Sequence, residues 1–121
     1  MSSTRFRRIA LALPGAVEGA HQGTADFRVG KRIYATLGYP DDAWGMVKLT
    51  SEQQSMLVEA EPEIFRPVPG GWSKQGYTNV LLAKADATTL QSALTMAWKN
   101  VAPKSLIKAP AQAKARDTKK S

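Results

Sequence analysis

Arg28, Lys31 and Arg32 lie within the twelve residues from Asp26 to Leu37, around a single glycine turn. A second set follows further along: Lys48, Arg66 and Lys74, with Trp72 and Tyr77 in a glycine-rich segment. These residue types suit anion recognition. Cationic side chains bind phosphate oxygens and set a protein's register on a nucleic-acid backbone. An exposed Trp or Tyr can stack on a base, at roughly 1–3 kcal/mol per contact. A second reading stands beside this one. Cations at a hairpin tip discourage edge-to-edge association, Trp72 could seal a core, and Lys48, between Val47 and Leu49, is placed to pair with an acid.

Catalytic constellations are not visible. His21 is the sole histidine, with Glu18 three residues before it and no cysteine in the chain. A general base needs an orienting partner, and a metal site needs three or four ligands at suitable spacing. The acids group as Asp41-Asp42, in a turn around Pro40, and as Glu59, Glu61 and Glu63 around a helix end. Both are solvent-facing patterns rather than a carboxylate pair with divided pKa values. No Gly-x-Ser-x-Gly elbow occurs. Gly70-Gly71 is not followed by Gly-Lys-Ser/Thr, and no G-x-G-x-x-G opens a helix. The expectation is a protein without catalytic residues, metal or cofactor.

The net charge of +7 is unevenly spread. Residues 103–121 hold six cations (Lys104, Lys108, Lys114, Arg116, Lys119, Lys120) against Asp117, a net +5, which leaves +2 for residues 1–102. Most of the basicity therefore belongs to the tail, and the overall charge says little about the folded surface. Such a tail could add a salt-sensitive attraction to phosphates, with log K falling by about 0.9 per neutralised phosphate on duplex DNA. No apolar run approaches the roughly 20 residues of a membrane span. The absence of cysteine suits a reducing compartment. A cytoplasmic monomer that does not engage membranes is expected.

The elements that must position these side chains can be read from periodicity. Thr4 is the expected N-cap of a first helix reaching Leu13, with Phe6, Ile9, Ala10 and Leu13 as its apolar stripe. Arg5, Arg7 and Arg8 oppose the helix dipole there and read as a solvated face, with a phosphate-facing role as the alternative. Val17–His21 is a short strand. Ala25, Phe27 and Val29 alternate with polar residues, as do Ile33, Ala35 and Leu37. A three-residue loop, Gly30 to Arg32, would pair Val29 with Ile33 and Phe27 with Ala35 and unite these residues on one face. It would leave Tyr34 and Arg28 opposite each other on the polar face. Trp44–Leu49 is the next strand. Thr50 and Gln53 form a capping box for a helix ending at Pro62. Residues 63–76 read as irregular, Tyr77–Ala83 as a last strand, and Asp86 as the cap of a final helix. Leu90, Ala93, Leu94, Ala97, Trp98 and Val101 form that helix's apolar face. At 43% hydrophobic, the chain can bury one core. Residues 1–102 are expected to form one domain and 103–121 a disordered basic tail.

Several motifs resemble the MmcQ/YjbR family of small bacterial proteins. They are Leu13-Pro14-Gly15, then Glu18 and His21, Phe27-Arg28-Val29-Gly30-Lys31, Ile33-Tyr34-Ala35, Val47-Lys48-Leu49, Phe65-Arg66-Pro67 and the aromatic-glycine segment from Trp72 to Tyr77. Tyr34 stands where the family usually has Phe. The resemblance implies an α+β fold: a curved antiparallel meander with three helices on one face. It is similar to the "double wing" DNA-binding domain of a phage transcription factor. No catalytic residues come with it. The resulting expectation is duplex-DNA binding through Arg28, Lys31, Arg32, Lys48, Lys74, Trp72 and Tyr77. The alternative is a binding module whose sheet-lined pocket takes a small anionic ligand or a protein partner.

Overall fold

The computed structural model describes residues 2–21, 23–38, 41–70 and 75–107, with the backbone alone for His21. Three helices and six strands follow in the order α1 (Ser3–Leu11), β1 (Val17–His21), β2 (Thr24–Val29), β3 (Arg32–Leu37), β4 (Trp44–Lys48), α2 (Ser51–Ala60), β5 (Phe65–Pro67), β6 (Tyr77–Leu81) and α3 (Ala87–Val101). All strand pairs are antiparallel, and the sheet order is β1-β2-β3-β4-β6-β5. The helices pack on one side, giving the α+β architecture that the family resemblance implies.

Helix boundaries follow their caps. Ser2, not Thr4, caps α1: its Oγ accepts from the Arg5 amide at 3.1 Å. Thr50 and Gln53 form the expected reciprocal box on α2, at 3.1 and 2.9 Å. Asp86 Oδ1 accepts from the Thr89 amide at 2.7 Å, which holds its carboxyl below the ordinary aspartate value. All six apolar-face residues expected of α3 are buried.

The core lies between the sheet and the helices. Phe6 of α1 covers Gly45 of β4 so closely that a Cβ there would come within 2.5 Å of its ring. Trp98 of α3 donates from Nε1 to the Pro14 carbonyl at 2.9 Å, which gives the Leu-Pro-Gly turn a structural duty. Gln54 of α2 donates to the Tyr77 carbonyl and to Thr78 Oγ1, and Asn100 of α3 donates to Gln53 and to the Lys48 carbonyl. Those contacts tie α2 to the same side. Arg7 and Glu18 form a forked ion pair between α1 and β1, so Arg7 is engaged rather than merely solvated.

Two elements depart from the sequence expectation. Phe65–Pro67 forms edge strand β5, although Pro67 and Pro69 read as irregular chain. Proline is tolerated at an edge, where its missing N–H removes no ladder bond. The β2–β3 register also differs. Ala25 pairs with Leu37 and Phe27 with Ala35 as expected, but beyond a bulge Arg28 pairs with Ile33 and Val29 with Arg32. Tyr34 is the extra residue. A bulge sets two consecutive residues against one partner and reverses the alternation beyond it. Tyr34 accordingly enters the core fully buried, and its hydroxyl donates to the Ala10 carbonyl at 2.7 Å. Burial pushes its phenol well above the ordinary tyrosine value.

Past α3 the chain makes a further helical turn. The Leu106 and Ile107 amides both donate to the Pro103 carbonyl, and both side chains pack against the core. Packed chain thus extends to Ile107; the rest of the basic tail lies outside the described residues. No helix among the described residues is long and apolar enough to cross a membrane.

Candidate nucleic-acid interface

The β2–β3 turn consists of Gly30 and Lys31 alone, and both are left-handed, at φ 58° and 70°. This is the two-residue hairpin geometry whose twist matches its flanking strands. It asks for Gly, Asn or Asp at both positions, because a Cβ crowds the backbone when φ is positive. Lys31 meets that demand poorly: it is the one non-glycine residue with positive φ among the described residues. Lys31 and the adjacent Arg32 are both exposed.

Arg28 is differently employed. Its Nε and Nη2 donate to the two carboxylate oxygens of Asp26 at 2.8 and 3.1 Å. Asp26 is fully buried, whereas 37% of the Arg28 side chain is accessible. Gly19 on the neighbouring strand leaves room for the pair, since a Cβ there would stand 3.0 Å from Asp26 Oδ1. The carboxylate, by hydrogen bond and by charge, raises the guanidinium pKa further. Arg28 therefore neutralises a buried acid. It also faces Ile33 rather than the expected Tyr34, because of the bulge.

Lys48 and Tyr77 meet elsewhere. Strand alternation sends Val47, Thr78 and Val80 toward the helices, so Lys48, Tyr77 and Asn79 occupy the opposite, helix-free face. Lys48 Nζ stands 5.5 Å from the centre of the Tyr77 ring. Arg66 lies over Trp44 at 5.1 Å, a second pairing of the same kind on the same face. Neither cation is held in an ion pair among the described residues; each lies against a ring quadrupole. Trp72 and Lys74 lie outside the described residues.

The candidate residues thus separate into two groups. Lys31 and Arg32 share the hairpin tip, with Arg28 behind them bound to Asp26. Lys48 and Tyr77 belong to the β4–β6–β5 end. Trp44 and Asn79 complete that second group and carried no signal in the sequence. Trp44 reads as a strand residue like any other, and Asn79 matters only because of what surrounds it. Two open hollows among the described residues lie elsewhere. One is lined by Gln54, Ser55, Val58, Glu59 and Pro67, the other by α3 residues from Thr88 to Lys99. Neither is lined by the sheet's cations.

Residues 11–100 match the family model YjbR. The chain belongs to the YjbR family. A solved YjbR-like structure, Deinococcus radiodurans protein DR2400 with domain DUF419, superposes with a TM-score of 0.71 at 24% identity. The match covers 94% of this chain and 87% of that one, and supports the fold. No curated protein matches the chain.

Proposed function

We propose that this YjbR-family chain is a non-catalytic, cytoplasmic domain that binds duplex DNA at the β2–β3 hairpin end. Lys31 carries the reading. A left-handed turn position is filled by a residue that costs stability there, where Gly or Asn would serve the turn better. The turn gives no reason for a lysine, whereas a phosphate-facing charge does. Arg32 adds an exposed cation beside it. Both cations project from the tip, where they can reach phosphates without the sheet entering a groove.

The tail supports the same surface. Pro103 packs against Gly30, within 3.0 Å of where a Cβ would lie, which brings Lys104, the first cation of the basic segment, close to the hairpin tip. Tail and tip would then act together on one backbone.

The test is a salt titration of duplex binding by the full chain and by its Lys31→Gly/Arg32→Gln variant. Removing two phosphate contacts should lower the slope of log K against log salt by about 1.8, at roughly 0.9 per contact. An unchanged slope and affinity would remove the hairpin from the interface.

A further inference from the structure

Asn79 occupies the middle of the helix-free face, directly across from Met46 on β4 and Arg66 on β5. Its neighbours Thr78 and Val80 are fully buried on the helix side. Asn79 itself is 8% exposed, and its Oδ1 is buried without a hydrogen-bond partner. Native structures seldom leave such an atom unpaired, because it has given up water and received nothing in exchange. An apolar residue of similar size would serve the fold at less cost. The amide is therefore better explained by something that binds it than by anything it holds together.

The surroundings indicate the chemistry. A carboxamide presents an acceptor and a donor side by side, the pattern that matches the N6 amino group and N7 of adenine bidentately. The Lys48–Tyr77 pair lies to one side of Asn79, and Arg66 reaches from β5 across β6 to Trp44 on β4, so its side chain covers the amide and must swing aside to admit a ligand. Moving Arg66 off Trp44 uncovers a ring on which a base can stack and frees its guanidinium, with Lys48, for a phosphate. We propose that the helix-free face binds an adenine nucleotide, with the Asn79 amide reading the base edge once Arg66 swings off Trp44. Strands flank Asn79 on both sides, and a face three strands wide does not enter a groove that admits a two-stranded ribbon. The base must therefore come from a free mononucleotide or from a single strand. This site does not depend on the hairpin reading.

The experiment titrates the isotopically labelled full chain with adenosine and cytidine monophosphates, and in parallel measures binding to short oligo(dA) and oligo(dT) strands. The Asn79 side-chain amide signals should move with the adenine ligands, which should bind roughly 5- to 100-fold more tightly than their pyrimidine counterparts. Saturation by the monophosphate identifies a free nucleotide as the source; binding of oligo(dA) alone identifies a strand. Asn79→Leu and Asn79→Ala should abolish the adenine preference. Asn79→Leu should also leave the thermal midpoint unchanged or raised, because the unpaired acceptor is gone. Lys48→Gln should weaken every nucleotide alike. Absence of adenine preference in the parent protein, or its retention in both Asn79 variants, overturns the assignment. The Lys31→Gly/Arg32→Gln variant should keep the adenine preference, so failure of the hairpin reading and failure of this one are separate results.

Discussion

The two ends of the sheet carry similar cations and use them differently. At the β2–β3 end, Lys31 and Arg32 project from a strained turn into solvent, while Arg28 is bound to Asp26. At the β4–β6–β5 end, Lys48 and Arg66 lie across aromatic rings around an unpaired amide oxygen. A free cation on a protruding tip suits a charged backbone of any sequence. A cation on a ring beside a hydrogen-bonding edge suits a flat ligand of particular shape. The contrast shows that counting basic residues does not define a binding surface; what each charge touches does.

The contrast can be broken from either end. The largest effect is expected at Gly76, which opens the β4–β6 end at φ 88°. A Cβ there would run into the Leu49 carbonyl, while the Gly76 carbonyl already accepts from the Leu49 amide at 3.0 Å. Gly76→Ala should destabilise by about 3 kcal/mol, from the left-handed strain and the steric conflict together. Denaturant unfolding measures this. A loss below 1 kcal/mol would show that this end is more pliable than its packing suggests.

Tyr34→Phe tests what holds the hairpin to the helices. It leaves the ring in place and removes the donor to the Ala10 carbonyl, which should cost about 1 kcal/mol. Lys31→Gly should have the opposite sign. Relief of the left-handed backbone is expected to stabilise the chain by about 1 kcal/mol while weakening duplex binding. A variant that is more stable and still binds DNA as well as the parent would separate Lys31 from function.

The smallest effect concerns pH. The Asp86 carboxyl is held below its ordinary value by the Thr89 amide. A depressed folded-state pKa stabilises the protein above the unfolded-state value, and the contribution disappears as pH falls through the folded-state value. Comparing unfolding of the parent and Asp86→Asn across the acid range should show an advantage for the parent at neutral pH that shrinks on acidification. An advantage that grows with acid would contradict the cap.

Local signals made much of this protein legible. The capping box at Thr50 and Gln53, the Asp86 cap and the apolar face of α3 depend on neighbours within one or two helical turns, and all appear as read. The pairing of Phe27 with Ala35 follows from the twofold alternation of strand side chains. The hairpin tip was misread because a three-residue loop and a bulged two-residue loop both bury an apolar face. The space beside Ala10 draws Tyr34 inward, and that space exists only once α1 lies on the sheet.

The Arg28, Lys31 and Arg32 cluster was legible as a set of charges but not as a set of roles. Asp26 is only two residues from Arg28, yet the room for their pair depends on Gly19 of the neighbouring strand, where a Cβ would crowd the carboxylate. Trp44, Arg66 and Asn79 are separated by many residues and meet because β5 and β4 flank β6. Residue types and their short-range spacing thus determined the family, the caps of α2 and α3 and most of the strand faces, since those rest on contacts a few residues apart. Which charges are spent on partners, which rings lie under cations and which amide oxygen is left unpaired were settled by strand order, because each depends on residues that only folding makes neighbours.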